Sequence, residues 1–380
     1  MKILLLGATG SIGTSACNCI RRFPEKFELV GLSSHKNAPK LMDLVREFGP
    51  TSVCFGAAAE TSALRAAAPG KTRVFTGNQG LEDIVNETEF DVLLNALVGA
   101  VGLRPTVAAL KRNKRVALAN KESLVIGGEY ITGLLENGMG RLAPVDSEHS
   151  AILQCMGGET VSDIESLILT ASGGPFREVG PESFSSITPR QALNHPTWSM
   201  GQKITIDSAT LINKGFEVIE AHYLFHIPYN KIRVLIHPQS IVHSMVEYHD
   251  GAVIAQMGVP DMELPIQLAL SFPDRLPLQS KRLDLAAIST LTFYEPDFNR
   301  FPCLRLCLQA AKIGGTAPVV VNAANEIAVK LFLDGVIGYD RIHHILEEAL
   351  DAYVPESVDG LETIERVDVT VRAHILKRFG

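Results

Sequence analysis

The chain predicts an α/β protein in three parts: an N-terminal parallel sheet flanked by helices, a central α/β domain, and a C-terminal helical domain. Three observations carry that expectation. Short apolar runs alternate with helical segments up to about residue 146, mixed strands and helices follow, and residues 303–380 carry apolar residues at helical spacing. At 380 residues the chain exceeds one ordinary core. Boundaries are expected at 1–146, 147–275 and 303–380. Residues 276–302 form a linker, because prolines at 273, 277, 296 and 302 prevent long regular elements there.

The first strand is "KILLL" (2–6), an apolar run of the kind a buried parallel strand shows, followed at once by "GATGSIG" and then a helix. Further runs at "FELVGLSS" (27–34), "SVCF" (52–55), "RVFTG" (73–77), "DVLLNALVG" (91–99) and "RVALAN" (115–120) alternate with helical stretches such as "APKLMDLVREFG" and "RPTVAALKRN". This is a repeating βα pattern, which places ligands beyond the carboxyl ends of the strands, where Asn120, Lys121 and Glu122 stand. In the central part, strands at 232–237, 241–248 and 252–257 suggest a meander with an edge that could pair with a second copy of the chain.

Composition excludes several classes of function. The 35 basic and 42 acidic residues give a net charge of -7 with no basic block, which argues against nucleic acid as a partner. No apolar run reaches membrane-spanning length. Six scattered cysteines without a paired framework, and no signal-peptide pattern, lead us to expect a reducing, cytoplasmic compartment.

Gly7, Gly10 and Gly13 lie three apart between a strand and a helix, so backbone N–H groups can approach a pyrophosphate and the helix N-terminus can attract its charge. A Rossmann-type dinucleotide site follows, with a plain tight turn as the bland alternative. At the end of the second strand, an NAD site usually carries an acid for the ribose. Here "SSHKN" offers Ser33, Ser34, His35, Lys36 and Asn37, donors and positive charge that suit the 2'-phosphate of NADP.

Asp146 and Glu148 flank Ser147 in "PVDSEHSA". In an extended segment both acids would face one point and could share a hard divalent cation, Mg²⁺ or Mn²⁺; a helix cap at Asp146 or Ser147 explains only one of them. In "DSATLINKGFEVIEAHYLF", read as a helix over 209–225, Asn213, Lys214 and Glu217 share a face. Taken alone, Lys214 and Glu217 read as a surface salt bridge. "ASGGPF" (171–176) offers the Ser172 hydroxyl and close backbone N–H groups to an anion, with Ser208 and Lys214 adding a hydroxyl and a charge; a common turn is the competing reading. "NHPTWSMGQ" (194–202), with the only tryptophan, Trp198, reads as a closing loop ahead of a strand leading into Ser208, or else Trp198 is a core residue.

Taken together, "GATGSIG", "LANKESLV", "PVDSEHSA", "ASGGPF", "HPTWSMGQKITIDSATLINKGFEVIEA" and "VNAANEIAV" resemble, in order and spacing over essentially the whole chain, the 1-deoxy-D-xylulose-5-phosphate reductoisomerases of the non-mevalonate isoprenoid pathway. The resemblance implies that residues 1–146 bind NADPH and residues 147–275 carry catalysis and dimerisation. It implies NADPH contacts at Thr9, Gly10, Ser11, Ile12, Lys36, Asn37, Asn120, Glu122 and Gly201, to which the residue reading adds Gly7 and His35. His35 stands where many relatives carry glycine. The resemblance assigns metal ligation to Asp146, Glu148 and Glu217, and substrate contacts to Lys121, Ser147, Ser172, His195, Ser208, Asn213 and Lys214. Lys121 and Glu148 become candidate proton handlers. The implied reaction is a metal-assisted rearrangement of the sugar phosphate followed by hydride delivery, giving 2-C-methyl-D-erythritol 4-phosphate. The alternatives are another NADP-dependent reductase, acting on an amino-acid intermediate, and a non-catalytic NADP sensor.

Overall fold

The computed structural model describes residues 1–56, 70, 72–198 and 200–380. These divide into two compact units: residues 1–123, 131–146 and 262–279 form the first, and residues 124–130, 147–261 and 280–380 the second. The chain therefore returns to the first unit at 262–279, instead of running as one domain from 147 to 275, and the C-terminal helices belong with the central sheet. The return has a packing cause. The helix Glu263–Ser271 buries Ile266, Ala269 and Leu270 in the first unit's core, and Glu263 accepts from Arg22 at 2.9 Å and Asn18 at 3.1 Å.

The first unit holds seven strands: β1 (Lys2–Leu6), β2 (Glu28–Ser34), β3 (Ser52–Phe55), β4 (Arg73–Thr76), β5 (Val92–Asn95), β6 (Arg115–Leu118) and β7 (Arg141–Pro144). They form one parallel sheet in the order β4-β3-β2-β1-β5-β6-β7. β1, buried at every residue but Lys2, runs between β2 and β5, so strand order reverses beside it, where such sheets place their ligands. Crossover helices are α1 (Ser11–Arg22), α2 (Ala38–Phe48), α3 (Gly77–Glu87), α4 (Leu103–Lys111) and α5 (Lys121–Glu136). Proline near the start of α2 and the Asn37 side chain accepting from Lys40 N–H fix where that helix begins.

In the second unit, β8 (Ile164–Ala171), β9 (Ile232–Ile236), β10 (Val242–Tyr248) and β11 (Val253–Met257) make a sheet in the order β11-β10-β8-β9. The expected meander is absent, because β8 lies between β9 and β10, parallel to the first and antiparallel to the second. Burial explains the order. β8 is buried at seven of its eight residues and suits the centre, whereas β11 exposes Val253 and Ile254 and suits an edge.

Against this sheet lies α6 (Ser147–Met156), and α7 (Gln202–Ala209) packs on α8 (Ile212–Phe225), which also lies against the sheet. The stretch "KITID", which alternates like a strand, is helical in α7. Its residues Thr205, Ile206, Asp207 and Ala209 are buried on several sides, so packing overrides the local preference. The helix expected over 209–225 begins at Ile212, because Leu211 takes a left-handed conformation (φ 60°) and separates α7 from α8. A bundle of α9 (Pro302–Ile313), α10 (Ala317–Leu333), α11 (Arg341–Ala352) and α12 (Leu361–Phe379) completes this unit. All six cysteines are buried, and none is in a disulfide. No described helix is long and apolar enough to cross a membrane.

Candidate active site

In the first unit the predicted cofactor residues gather at the carboxyl ends of β1, β2 and β6. Gly7 has φ 85°, and a Cβ there would stand 2.4 Å from the Ala96 carbonyl oxygen, so both conformation and space demand glycine. Its N–H donates to Ser33 Oγ at 2.9 Å, and Thr9 and Ser34 hydroxyls are 2.7 Å apart, which ties the glycine turn to the end of β2. Gly10, Ser11 and Ile12 open α1, and Gly10 N–H donates to Gly7 O at 3.1 Å. His35, Lys36 and Asn37 follow β2 and are exposed. Lys40, which sequence reasoning missed, donates to Thr9 O at 3.1 Å and Thr14 Oγ at 2.7 Å and so braces the turn. Its place one turn into α2, four residues past Lys36, was the available signal.

Asn120 and Glu122 are buried at the β6–α5 junction. The Asn120 amide donates to Leu97 O, Gly99 O and Glu122 Oε2, each at 3.0 Å, and its oxygen accepts from Ser123 N–H. The pair therefore fixes the loop after β5. Lys121, buried beside them, donates to Asp146 Oδ2 at 2.8 Å. Gly201 belongs to the second unit, where it is exposed at the start of α7.

In the second unit, Glu148 stands in the first turn of α6, not in an extended segment. The helix follows Asp146 directly, so the acids are joined through one residue with the chain turning between them. Glu217 and Lys214 lie on α8, and both are buried. The Lys214 ammonium donates to Glu148 Oε1 at 2.7 Å and to Glu217 Oε2. The remaining oxygens are also engaged: Ser147 donates to Glu148 Oε2 and Asn213 to Glu217 Oε1. The surface salt bridge between Lys214 and Glu217 is thus a buried cluster. Burial alone would lower the Lys214 pKa, but the charges of Glu148 and Glu217 outweigh it and hold the ammonium above its ordinary value.

His149 was passed over in the sequence, although it follows Glu148. It is buried, and its Nε2 lies 2.9 Å from the Glu217 backbone oxygen, where it donates; Nδ1 then faces Glu220 Oε2 at 3.4 Å. This bond joins α6 to α8 beside both carboxylates.

A second cluster joins the SGG turn to the end of α7. His195 Nε2 lies 3.1 Å from Ser172 Oγ and 3.2 Å from Ser208 Oγ. His195 Nδ1 accepts from the backbone N–H groups of Thr197 and Trp198 at 3.2 and 2.9 Å, so the neutral ring carries its proton on Nε2, toward the serines. Burial lowers the His195 pKa and favours that neutral ring. Gly174 has φ 71°, and a Cβ there would come within 2.7 Å of the Ser208 carbonyl oxygen, so glycine permits this close approach. Trp198 is half-buried, its ring 6.3 Å from His243.

Two hydroxyls, an imidazole N–H and a buried ammonium beside two carboxylates can receive an oxyanion and a hard cation. Comparison with known proteins agrees with that chemistry. Residues 3–128 match the family model for 1-deoxy-D-xylulose 5-phosphate reductoisomerase, and residues 142–225 and 257–374 match models of that enzyme's C-terminal domains. A 1-deoxy-D-xylulose 5-phosphate reductoisomerase of Clostridium kluyveri is 46% identical over 382 residues, covering 100% of this chain and 99% of the relative. The Zymomonas mobilis enzyme, solved in complex with NADPH, superposes with TM-score 0.91 at 39% identity, covering 98% of this chain and 97% of that one. A reductoisomerase solved with NADPH, fosmidomycin and magnesium gives TM-score 0.93 at 39% identity and covers 100% of both chains. With these matches running from end to end, the chain belongs to the 1-deoxy-D-xylulose 5-phosphate reductoisomerase family.

Proposed function

We propose a residue assignment for the family's reaction, in which the first unit binds NADPH and the second holds the sugar phosphate. The chain is an NADP-dependent oxidoreductase that converts 1-deoxy-D-xylulose 5-phosphate to 2-C-methyl-D-erythritol 4-phosphate by metal-dependent rearrangement and reduction. The observation that carries the assignment is the buried ammonium of Lys214 between Glu148 and Glu217: a half-buried and a buried carboxylate already have a cation between them. Such oxygen donors fit a hard divalent ion. Asp146, two residues before Glu148, supplies the third carboxylate of the set Asp146, Glu148 and Glu217.

When bound, magnesium or manganese supplies Lewis-acid polarisation of the substrate carbonyl, and NADPH supplies hydride. The chain's own residues do the rest. Ser172, Ser208 and His195 direct donors at the phosphate, with Asn213 and Lys214 beside it at the start of α8. Ser147, on Glu148, contacts the substrate. Lys121 and Glu148 are the proton handlers, and the Lys121 ammonium is kept oriented by Asp146. Lys36, exposed after β2 with His35 and Asn37, pairs with the 2'-phosphate of NADPH, while the turn from Gly7 through Thr9, Gly10, Ser11 and Ile12 receives its pyrophosphate. Asn120, Glu122 and Gly201 complete the cofactor contacts. Trp198 covers the substrate and excludes water.

The exposed edge β11 pairs with a second copy to form a homodimer, and six cysteines outside any disulfide fit the cytoplasm. The assignment is tested by NADPH oxidation with 1-deoxy-D-xylulose 5-phosphate, with and without Mg²⁺ or Mn²⁺. Turnover only with the metal supports it; turnover indifferent to a chelator would remove the carboxylates from their role.

A further inference from the structure

The motif "VNAANEIAV" lies in the middle of α10, and the assignment above leaves it without a task. Asn325, in that motif, is fully buried, and its Nδ2 donates to Asp207 Oδ1 at 2.8 Å. Among the described residues its Oδ1 has no hydrogen-bond partner. Burying an amide with one of its ends unsatisfied is unfavourable compared with an apolar side chain of similar size, so the bond to Asp207 is the feature that distinguishes asparagine here.

Asp207 is itself buried in the last turn of α7, and its Oδ2 accepts from Lys203 at 2.8 Å one turn earlier. The Lys203 ammonium in turn stands 5.2 Å over the Phe216 ring of α8. One residue beyond Asp207 comes Ser208, hydrogen-bonded to His195. A second tie reaches the same turn from the bundle. Tyr339, just ahead of α11, donates its hydroxyl to the Ala209 backbone oxygen at 2.6 Å, and its ring packs edge-on against Phe176 of the "ASGGPF" turn with centroids 5.2 Å apart. Ser208 is therefore bracketed, by Asp207 held from α10 and by Ala209 held from Tyr339. Three residues after it the chain breaks from helix at Leu211, so continuous helical hydrogen bonding into α8 does not hold this end in place.

We infer that Asn325 is a positioning residue: through Asp207 it fixes the end of α7 and so aims the Ser208 hydroxyl into the anion pocket. The inference rests on the phosphate-pocket reading given above. It makes the C-terminal bundle part of the device that sets substrate affinity, although no residue of the bundle need touch the substrate.

The test compares Ser208→Ala, Asn325→Ala, Tyr339→Phe and the double variant Ser208→Ala/Asn325→Ala in the full-length enzyme with metal and NADPH. Asn325→Ala should raise KM for the sugar phosphate about tenfold, and the inhibition constant of inorganic phosphate by a similar factor, with NADPH affinity unchanged. The double variant should be no worse than Ser208→Ala, because aiming an absent hydroxyl gains nothing; two contributions that merely support the fold would instead multiply. Tyr339→Phe keeps the ring and loses only the bond to Ala209, so it decides the matter by a rise of a few-fold in KM if Asn325→Ala does not fold. A wild-type KM in Ser208→Ala would overturn the pocket reading and this inference with it. A raised KM in Ser208→Ala, with unchanged values or multiplying losses in the other variants, would overturn the positioning role alone.

Discussion

Lys214 and Glu148, sixty-six positions apart in the chain, meet at 2.7 Å as a buried ammonium and a carboxylate. With Glu217 on the same ammonium, one positive charge faces two negative ones, and the sign of that imbalance decides what each substitution does. Lys214→Met leaves the buried Glu217 and the half-buried Glu148 together and should cost about 3–5 kcal/mol in metal-free protein, with added Mg²⁺ restoring part of the loss. Glu217→Gln relieves the imbalance and should leave the metal-free melting temperature nearly unchanged, while turnover falls by about 10²-fold or more. Melting curves with and without metal check both statements. A Lys214→Met protein as stable as the parent without metal would show that the acids are not coupled through it.

Lys36→Ala should weaken NADPH binding about tenfold or more and leave NADH binding nearly unchanged, since only NADPH offers a 2'-phosphate to the exposed lysine. Paired cofactor titrations measure this. Equal losses for both cofactors would place Lys36 elsewhere.

Trp198 is half-buried against His243 on a loop that follows His195. Trp198→Ala should lower catalytic efficiency while the melting temperature stays within a few degrees. A core tryptophan would lose roughly 3–5 kcal/mol of stability. Because it is the only tryptophan, its fluorescence should respond to a phosphonate substrate mimic added with metal; an emission indifferent to that ligand counts against a lid.

Stability should fall as the solution is acidified through the histidine range. Burial lowers the pKa of His195, His237, His243 and His343 below the usual 6.5. A base depressed in the folded state contributes fully above its unfolded pKa. Between the two pKa values the unfolded chain binds protons that the folded chain does not, so stability is lost as pH drops through that window, by up to about 1.4 kcal/mol per unit for each histidine. In His237 burial lowers the pKa against the opposing pull of the Nδ1–H bond to Thr292 O at 2.9 Å, while Nε2 accepts from Ile241 N–H at 3.2 Å. Urea midpoints at pH 7.5 and 5.5 should separate less in His237→Gln than in the parent.

The parallel sheet was legible because its strands are short apolar runs with glycine or polar stops, a period that local sequence carries by itself. Order in the second sheet was not. β9 and β10 are neighbours in sequence, and only the burial of β8 on both faces puts it between them. In the candidate site, Asp146, Glu148, Lys214 and Glu217 announced themselves by charge near apolar runs. The burial of the Lys214 cluster did not, since three-apart charges on a helix read the same on a surface as in a core. Asp207 and Asn325 were silent for a related reason: their meaning lies in a contact spanning 118 positions.

The buried cysteines give the molecule a set of internal clocks. Desolvation pushes Cys17 and Cys155 to about 11, and Cys54 and Cys303 to about 12, so near neutrality the reactive thiolate is scarce even before access is considered. An alkylating reagent must therefore wait for the protein to open. Cys17, Cys19 and Cys54 belong to the first unit and Cys155, Cys303 and Cys307 to the second, three reporters in each. Mass spectrometry of alkylation over time, read cysteine by cysteine, then tells whether the two units breathe together or apart, and whether NADPH slows one set while a phosphonate slows the other.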